Sequence, residues 1–352
     1  LVSISASATY SYVVDAGTGN DTVYSGIGND SIVSSDGNNF IQVQGGNNTI
    51  SVAGSGDNTI QTSAASGNIG NDSIVSTSSG NDSIVSGGGN DTIDVYAGNN
   101  TISSGIGNDL IFTGTGNDSV LAGTGDNTIF GSTGDDTIIG GGGSDYLTYE
   151  RLNAQLLVQF SGTQAGTVQS YNSISEASTA DGAFDQRLTT STGTLLFTDQ
   201  FSEINDSLRL SEGNDRVVFA GPSNSSFGTT INAAGGGLDI LDYSGFGEAN
   251  PVLVSLTSNS SGYSIALTPS INFTVSQFQN AQGIGSGLSS AAAAGKDGFV
   301  QNFEGVIGGN GSDTIVGSSA NNFLVGNGGD DTIAGVAGSN TIFGGEGNDI
   351  II

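Results

Sequence analysis

A nine-residue period, Gly-Gly-x-Gly-x-Asp-x-(Ile/Val/Leu)-x, constrains this chain more than any other feature, because its phase holds over long stretches. Residues 86–148 carry seven successive units without an insertion: SGGGNDTID, VYAGNNTIS, SGIGNDLIF, TGTGNDSVL, AGTGDNTIF, GSTGDDTII and GGGGSDYLT. Residues 308–352 carry five more: GGNGSDTIV, GSSANNFLV, GNGGDDTIA, GVAGSNTIF and GGEGNDIII. Such a repeat is a unit that buries its apolar face only by stacking on its neighbours. The Gly-rich first six residues suit turns needing positive φ or close backbone approach, and the last three, such as Thr-Ile-Asp, suit a short strand. The expected class is therefore all-β, a solenoid running turn, strand, turn, strand. Its core is read from the eighth positions: Val23, Ile32, Ile41, Ile50, Ile84, Ile93, Ile102, Ile111, Val120, Ile129, Ile138 and Leu147.

Four regions follow from the pattern. Residues 1–15 read as a leading edge, 16–148 as a first array, 149–302 as an interrupted roll and 303–352 as a second array. The first array opens with AGTGNDTVY, SGIGNDSIV, SSDGNNFIQ and VQGGNNTIS, then loses strict phase through short insertions at about 63–69 before recovering it. The interrupted part contains a duplication: residues 142–166 parallel 236–262, and 201–219 parallel 303–317. Each copy passes from a metal-type turn into an apolar strand, makes a polar excursion (161–198 and 259–298, read as loops or hairpins packed on the solenoid) and returns on an aromatic-led strand. Single repeats lie near 212–219 and 235–243. Residues 291–294, all Ala, suit one helical turn at most, given Gly285, Gly287 and Gly295 around them.

Thirty-four acidic residues against five basic ones give a formal charge of -29. That balance excludes a general affinity for nucleic acid or anionic lipid, both of which need a basic footprint. Inorganic cations are the partners it calls for. The chain has no Cys and no His, which removes disulfides, thiolate metal sites, Ser-His and Cys-His triads and zincin sites. No apolar run reaches the roughly 18 residues of a membrane span, so membrane insertion is not expected. A start at Leu1 without Met and an end in the strand position of a repeat lead us to expect a processed product or a piece of a longer array.

The nonapeptides of both arrays, with the connectors DYLTY and LDYSG, resemble the repeats-in-toxin (RTX) family. The resemblance implies a parallel β-roll in which two nonamers form one 18-residue coil, and calcium ions held between stacked turns by the sixth-position Asp and backbone carbonyls. The ligands so implied are Asp21, Asp30, Asp72, Asp82, Asp91, Asp109, Asp118, Asp136, Asp145, Asp215, Asp239, Asp313, Asp331 and Asp349. It also implies secretion through a type I exporter as an unfolded chain that folds on meeting external calcium.

If units 18 residues apart stack, Asp91 faces Asp109, Asp118 faces Asp136, and Asp313, Asp331 and Asp349 form one file. Two carboxylates about 5 Å apart repel by roughly 3 kcal/mol at an effective dielectric of 20. Calcium, which takes six to eight oxygen ligands, turns that repulsion into coordination and couples binding to folding. Asn replaces the Asp at Asn39, Asn48, Asn58, Asn100, Asn127, Asn322 and Asn340; in the second array this leaves one edge acidic and the other expected to close as an amide ladder or a weaker site. Two alternatives stand beside the metal reading. An isolated Gly-Asn-Asp is also an ordinary turn former, and Arg216 could neutralise Asp215 in place of an ion.

Catalysis is not expected. Glu150, Glu203, Asp206, Glu212 and Glu304 lie off the best nonamers with no motif fixing their spacing and read as solvated surface acids or single calcium ligands, and Tyr149 with Arg151, or Lys296 with Asp297, have only proximity to recommend them. The function expected is a calcium-dependent structural protein of the bacterial cell surface, secreted and extracellular, forming a homo-oligomer or lattice of surface-layer, fibre or adhesin type. One alternative is a non-catalytic secretion and folding module of a larger secreted toxin or enzyme. A further alternative, an ice-binding solenoid, is suggested by GTGND at 17–21 and 114–118, but a regular third-position Thr file exists only over Thr115, Thr124 and Thr133; absence of thermal hysteresis would remove it.

Overall fold

The computed structural model describes residues 2–3, 10–62, 69–152, 154–162, 165–171, 195–202, 207–219, 230–233, 238–248, 252–256, 262–266, 298–301 and 303–352. These residues form two compact units, Leu1–Leu152 with Leu196–Ser207, and Asn153–Leu195 with Leu208–Ile352. The protein is all-β, built as a parallel β-roll, and its described residues contain no helix.

In the first unit, successive strands alternate between two parallel sheets. One sheet stacks Val2–Ser3, Thr22–Tyr24, Phe40–Gln42, Thr59–Gln61, Ser83–Val85, Thr101–Ile106, Ser119–Thr124 and Thr137–Gly142; the last then pairs with Leu195–Ser202. The other stacks Val13–Gly17, Ser31–Ser34, Thr49–Val52, Ser73–Ser76, Thr92–Val95, Leu110–Phe112, Thr128–Phe130 and Tyr146–Thr148. Where the sequence keeps its phase, partners are 18 residues apart: Ile93 with Ile111, Ile111 with Ile129, Ile102 with Val120, and Val120 with Ile138. Where it slips, the register lengthens to Ile41 with Ile60, Ile50 with Ile74, Ile60 with Ile84 and Ile74 with Ile93. Isoleucine still meets isoleucine. A strand shifted by one residue would turn its apolar side chains outward, so the extra residues are taken up in the turns.

All twelve eighth-position residues are buried, none exposing more than 1% of its surface. Each such side chain stabilises the fold by about 1.5–3 kcal/mol, and the β-branched shape of all but Leu147 suits the narrow space between two short-stranded sheets. The positions on either side point outward, which explains the repeated burial pattern of one buried residue between two partly exposed ones in strands such as Leu110–Phe112.

The second unit repeats this scheme around two antiparallel insertions. One sheet stacks Arg216–Phe219, Ile240–Asp242, Gly305–Ile307, Phe323–Gly328 and Thr341–Glu346 on Gln155–Gly162, which also pairs antiparallel with Ala165–Tyr171. In the other, Gly262–Ala266 lies antiparallel between Val252–Ser255 and Gly298–Gln301, and Val252–Ser255 leads on to Thr314–Val316, Thr332–Ala334 and Ile350–Ile351. Ala165–Tyr171 in the first excursion and Gly262–Ala266 in the second are thus antiparallel partners within a sheet. Residues 291–294 lie outside the described residues.

The two connectors share a device. Tyr149 and Tyr243 are fully buried, and each opens a turn closed by a main-chain bond, Leu152 N–H to Tyr149 O at 2.9 Å and Phe246 N–H to Tyr243 O at 2.9 Å. Tyr243 stacks on Phe219 with ring centroids 4.5 Å apart. A Cβ at Gly131 would lie 2.5 Å from Tyr149 Cε1, so the first connector needs glycine there.

Candidate metal centres

Each strand is entered by the sixth-position residue of its unit, and parallel stacking files these residues along the corners of the roll. One main-chain bond recurs along the files, from the N–H of a corner residue to the Oδ1 of its successor. It joins Asp72 to Asp91 at 2.7 Å, Asp91 to Asp109 at 2.8 Å, and Asp118 to Asp136 at 2.8 Å. In the second unit it joins Asp215 to Asp239 at 2.8 Å, Asp313 to Asp331 at 2.7 Å, and Asp331 to Asp349 at 3.0 Å. Acid therefore stacks on acid over 72–91–109, 118–136, 215–239 and 313–331–349. Asp21, Asp30 and Asp82 differ, each donating its N–H in the same way to an Asn Oδ1, that of Asn39, Asn48 and Asn100 respectively, while Asp145 accepts at Oδ1 from the Asn127 N–H.

With Oδ1 engaged, the second oxygen decides the chemistry. Oδ2 of Asp21, Asp72, Asp91, Asp109, Asp118, Asp136, Asp239 and Asp331 is buried without a hydrogen-bond partner. Leaving such a group unsatisfied costs about 1–3 kcal/mol even before charge is counted. Burial, the largest cause in every case, raises the carboxyl pKa to about 6 at Asp91, about 7 at Asp118, Asp313 and Asp331, about 8 at Asp136 and Asp215, and about 9 at Asp239. Asp72, Asp82 and Asp109 are raised for the same reason. Some corners are satisfied from within: Ser25 and Ser76 donate to Oδ2 of Asp30 and Asp82, Ser211 donates to Asp215 Oδ1 at 3.0 Å, and Gly309 N–H donates to Asp313 Oδ2 at 2.7 Å.

First-position glycines make room for the carboxylates. A Cβ at Gly326 would collide with both Asp331 Oδ2 and the carbonyl oxygen of Gly344 in the next coil, so an acidic and a main-chain oxygen face the same cradle. Among the described residues no three acidic side chains converge on one point. The Gly326 cradle thus offers a cation carboxylate and main-chain carbonyl oxygens, which is oxygen-only, hard-ligand chemistry of the calcium type.

Asparagine corners close themselves. Nδ2 of Asn39, Asn48, Asn58 and Asn127 donates to Oδ1 of the next corner at 2.8–2.9 Å and to a glycine carbonyl two residues earlier at 2.8–3.2 Å. In the second array Asn322 N–H donates to Asn340 Oδ1 at 2.9 Å, and Asn340 Nδ2 donates to Gly335 O at 2.9 Å.

Sequence reasoning missed a second ladder. The exposed fifth-position side chain accepts from the coil after it: Asn90 Oδ1 from Asn108 N–H, Asn99 from Asn117 and Asn20 from Asn38, all at 2.8 Å. Fifth- and sixth-position ladders point in opposite directions, so neighbouring coils are bridged both ways at one corner. One corner acid, Asp199, was also missed, and Glu304, read only as a surface acid or a single calcium ligand, proves to join the same kind of file. Asp199 Oδ1 accepts from Asp136 N–H at 2.9 Å while its Oδ2 takes the Tyr149 hydroxyl at 2.7 Å, and Glu304 Oε2 accepts from Asp239 N–H at 3.2 Å. The usable signal was the triplet of acid, any residue, apolar residue in Asp-Gln-Phe and Glu-Gly-Val, without its glycines. Arg216, considered as a counter-ion for Asp215, instead forms a buried ion pair with Asp242, its Nε donating to Oδ2 at 3.0 Å.

A family described as "RTX calcium-binding nonapeptide repeat (4 copies)" matches residues 15–50, 66–96, 76–111, 112–147, 307–340 and 325–352. The chain carries RTX calcium-binding nonapeptide repeats. The matched stretches hold the RTX acidic stacks 72–91–109, 118–136 and 313–331–349. The unmatched stretch between them holds Asp199, Asp215, Asp239 and Glu304. No curated protein sequence matches the chain.

Proposed function

We propose that this chain is a calcium-dependent structural component of a bacterial cell surface, of surface-layer, fibre or adhesin type, which folds and assembles with copies of itself on meeting extracellular calcium. One observation carries the reading: carboxylates of successive coils are stacked at buried corners with their second oxygens unsatisfied. A divalent cation supplies the positive charge and open coordination positions that such corners lack. In a cytosol poor in calcium the same corners oppose folding, which suits export as an unfolded chain. The acids are engaged in holding coil to coil, a structural use, and we assign the chain no catalytic role. Outward strand positions rich in Ser and Thr, with Asn lining the corners, offer a hydrated surface for packing between copies.

Electron microscopy of the native assembly in calcium and after chelation tests the proposal. An ordered array that disperses when calcium is removed is expected. Monomers in both conditions, or a catalytic domain joined to these repeats in the full-length protein, would favour a secretion and folding module instead.

A further inference from the structure

The exposed fifth-position ladder carries a second pattern. Asn-x-Ser/Thr recurs at 20–22, 29–31, 47–49, 71–73, 81–83, 90–92, 99–101 and 117–119, each time with Asn in the fifth position, the corner residue in the middle and Ser or Thr in the seventh. Side chains alternate as the chain enters a strand, so the fifth and seventh positions face outward together while the sixth turns inward. All eight asparagines are exposed, and their Ser and Thr partners are exposed or half-buried. The residue between them is buried, or half-buried at Asp21.

The amide nitrogen of these asparagines has no task in stacking the coils. Oδ1 accepts a main-chain N–H of the next coil, that of Asn90 at 2.8 Å for Asn71, of Asn99 at 2.7 Å for Asn81 and of Asn117 at 2.8 Å for Asn99. Nδ2 of all eight donates to no described residue. Aspartate serves the ladder equally: Asp57 Oδ1 accepts from Asn81 N–H at 2.6 Å, and Asp126 Oδ1 from Ser144 N–H at 2.9 Å. The fold therefore calls for the oxygen alone, and an uncommitted amide nitrogen stands two residues before a hydroxyl at every one of these steps.

An exposed Asn-x-Ser/Thr is the acceptor pattern for N-linked sugars in secreted proteins. We propose that these fifth-position asparagines are N-glycosylation sites, set in two files along the corners of the first unit. In the transfer, carried out by a separate glycosyltransferase, Nδ2 attacks the anomeric carbon of a diphosphate-activated sugar. The bond from that carbon to the diphosphate oxygen breaks, the diphosphate leaves with the electron pair, and one amide proton passes to a base of the transferase. Oδ1 keeps its lone pairs, so the ladder bond survives modification. The sixth-position acid takes no part, which makes the proposal independent of the calcium reading.

The test isolates the full-length chain from the cells that produce it and locates sugars on its peptides by electron-transfer mass spectrometry. Asn38 and Asn108 are internal controls: both are exposed in the same ladder, their Oδ1 accepting from Asp57 N–H at 3.0 Å and Asp126 N–H at 2.9 Å, but Phe40 and Leu110 stand where the hydroxyl residue would be. Sugar is expected on Asn71, Asn81, Asn90 and Asn99 and not on Asn38 or Asn108. Thr92→Ala, produced in the same cells, is expected to lose the sugar at Asn90 and to keep it at Asn81 and Asn99, which report that the variant chain was processed. Thr92→Ser is expected to restore it. Bare asparagine at all eight sites in the wild-type chain overturns the proposal. Sugar on Asn38 and Asn108 equal to that on Asn90, or its retention at Asn90 in Thr92→Ala, would show that the hydroxyl is not read and would overturn it as well.

Discussion

The main-chain N–H of Asp91 donates to Oδ1 of Asp109 at 2.8 Å, while Oδ2 of both residues is buried without a hydrogen-bond partner. The coil-to-coil bond that sets the register therefore also brings two carboxylates together. Their repulsion is a consequence of correct folding, and it can be relieved by a proton, by an amide in place of one acid, or by a cation. Each remedy makes a different measurable demand on the protein.

Asp109→Asn tests the amide remedy. Asn100 shows what an amide does at such a corner: its Nδ2 donates to Gly98 O at 3.0 Å and its N–H still bonds to Asp118. The substitution is expected to stabilise the calcium-free chain by about 1–3 kcal/mol and to reduce the further stabilisation that calcium gives. Denaturant unfolding with and without calcium reads both effects. A variant destabilised equally in the two conditions would show that charge at this corner is irrelevant.

Acid tests the proton remedy. Burial raises the folded-state pKa to about 7 at Asp118, about 8 at Asp136 and about 9 at Asp239, against 3.8 for a free Asp. Groups raised on folding bind protons more tightly in the folded state. The stability they give is full below the unfolded pKa and is lost as pH rises through the folded values. A chain freed of calcium by dialysis should therefore gain β-structure as pH falls from about 9 to about 5, and calcium affinity should weaken over the same interval. Far-UV circular dichroism of the calcium-free chain decides the matter, since progressive loss of structure on acidification in that range has the opposite sign.

The repeat made much of this arrangement legible in advance. Period and apolar phase alone place Ile93, Ile111 and Ile129 in one buried column, and the 18-residue step brings Asp91 over Asp109 and Asp313 over Asp331. What stayed hidden depends on contacts that chain distance conceals. Asp199 and Glu304 follow interruptions that bring them 63 and 65 residues after the corners they join, so no period points to them. The Asn90 ladder is invisible until coils are in register, because a lone Asn in a Gly-rich turn is also a local turn former. Arg216 is one residue from Asp215, yet a strand directs neighbouring side chains to opposite faces, and its partner proved to be Asp242.

Glycine geometry can be tested independently of charge. Gly107 has φ near +138°, and a Cβ there would collide with the Gly89 carbonyl of the preceding coil, whereas a Cβ at Gly142 would approach nothing closer than Thr124 Cγ2 at 3.7 Å. Gly107→Ala is expected to destabilise the fold by at least about 1–3 kcal/mol, and Gly142→Ala to remain within about 0.5 kcal/mol of wild type. Thermal unfolding in saturating calcium compares them directly. Equal effects would mean that the turns are looser than their close carbonyl contacts indicate.

Site-resolved hydrogen exchange in calcium and after its removal bears most directly on whether cations hold the acidic corners together. Protection should fall first in Thr92–Val95, Leu110–Phe112, Ser119–Thr124 and Thr137–Gly142, where acid stacks on acid, and persist longer in Thr49–Val52 and Thr59–Gln61, where the amides of Asn48 and Asn58 bridge to the next coil. Protection at Asp91, Asp109, Asp118 and Asp136 that is the same with and without calcium at neutral pH would contradict it.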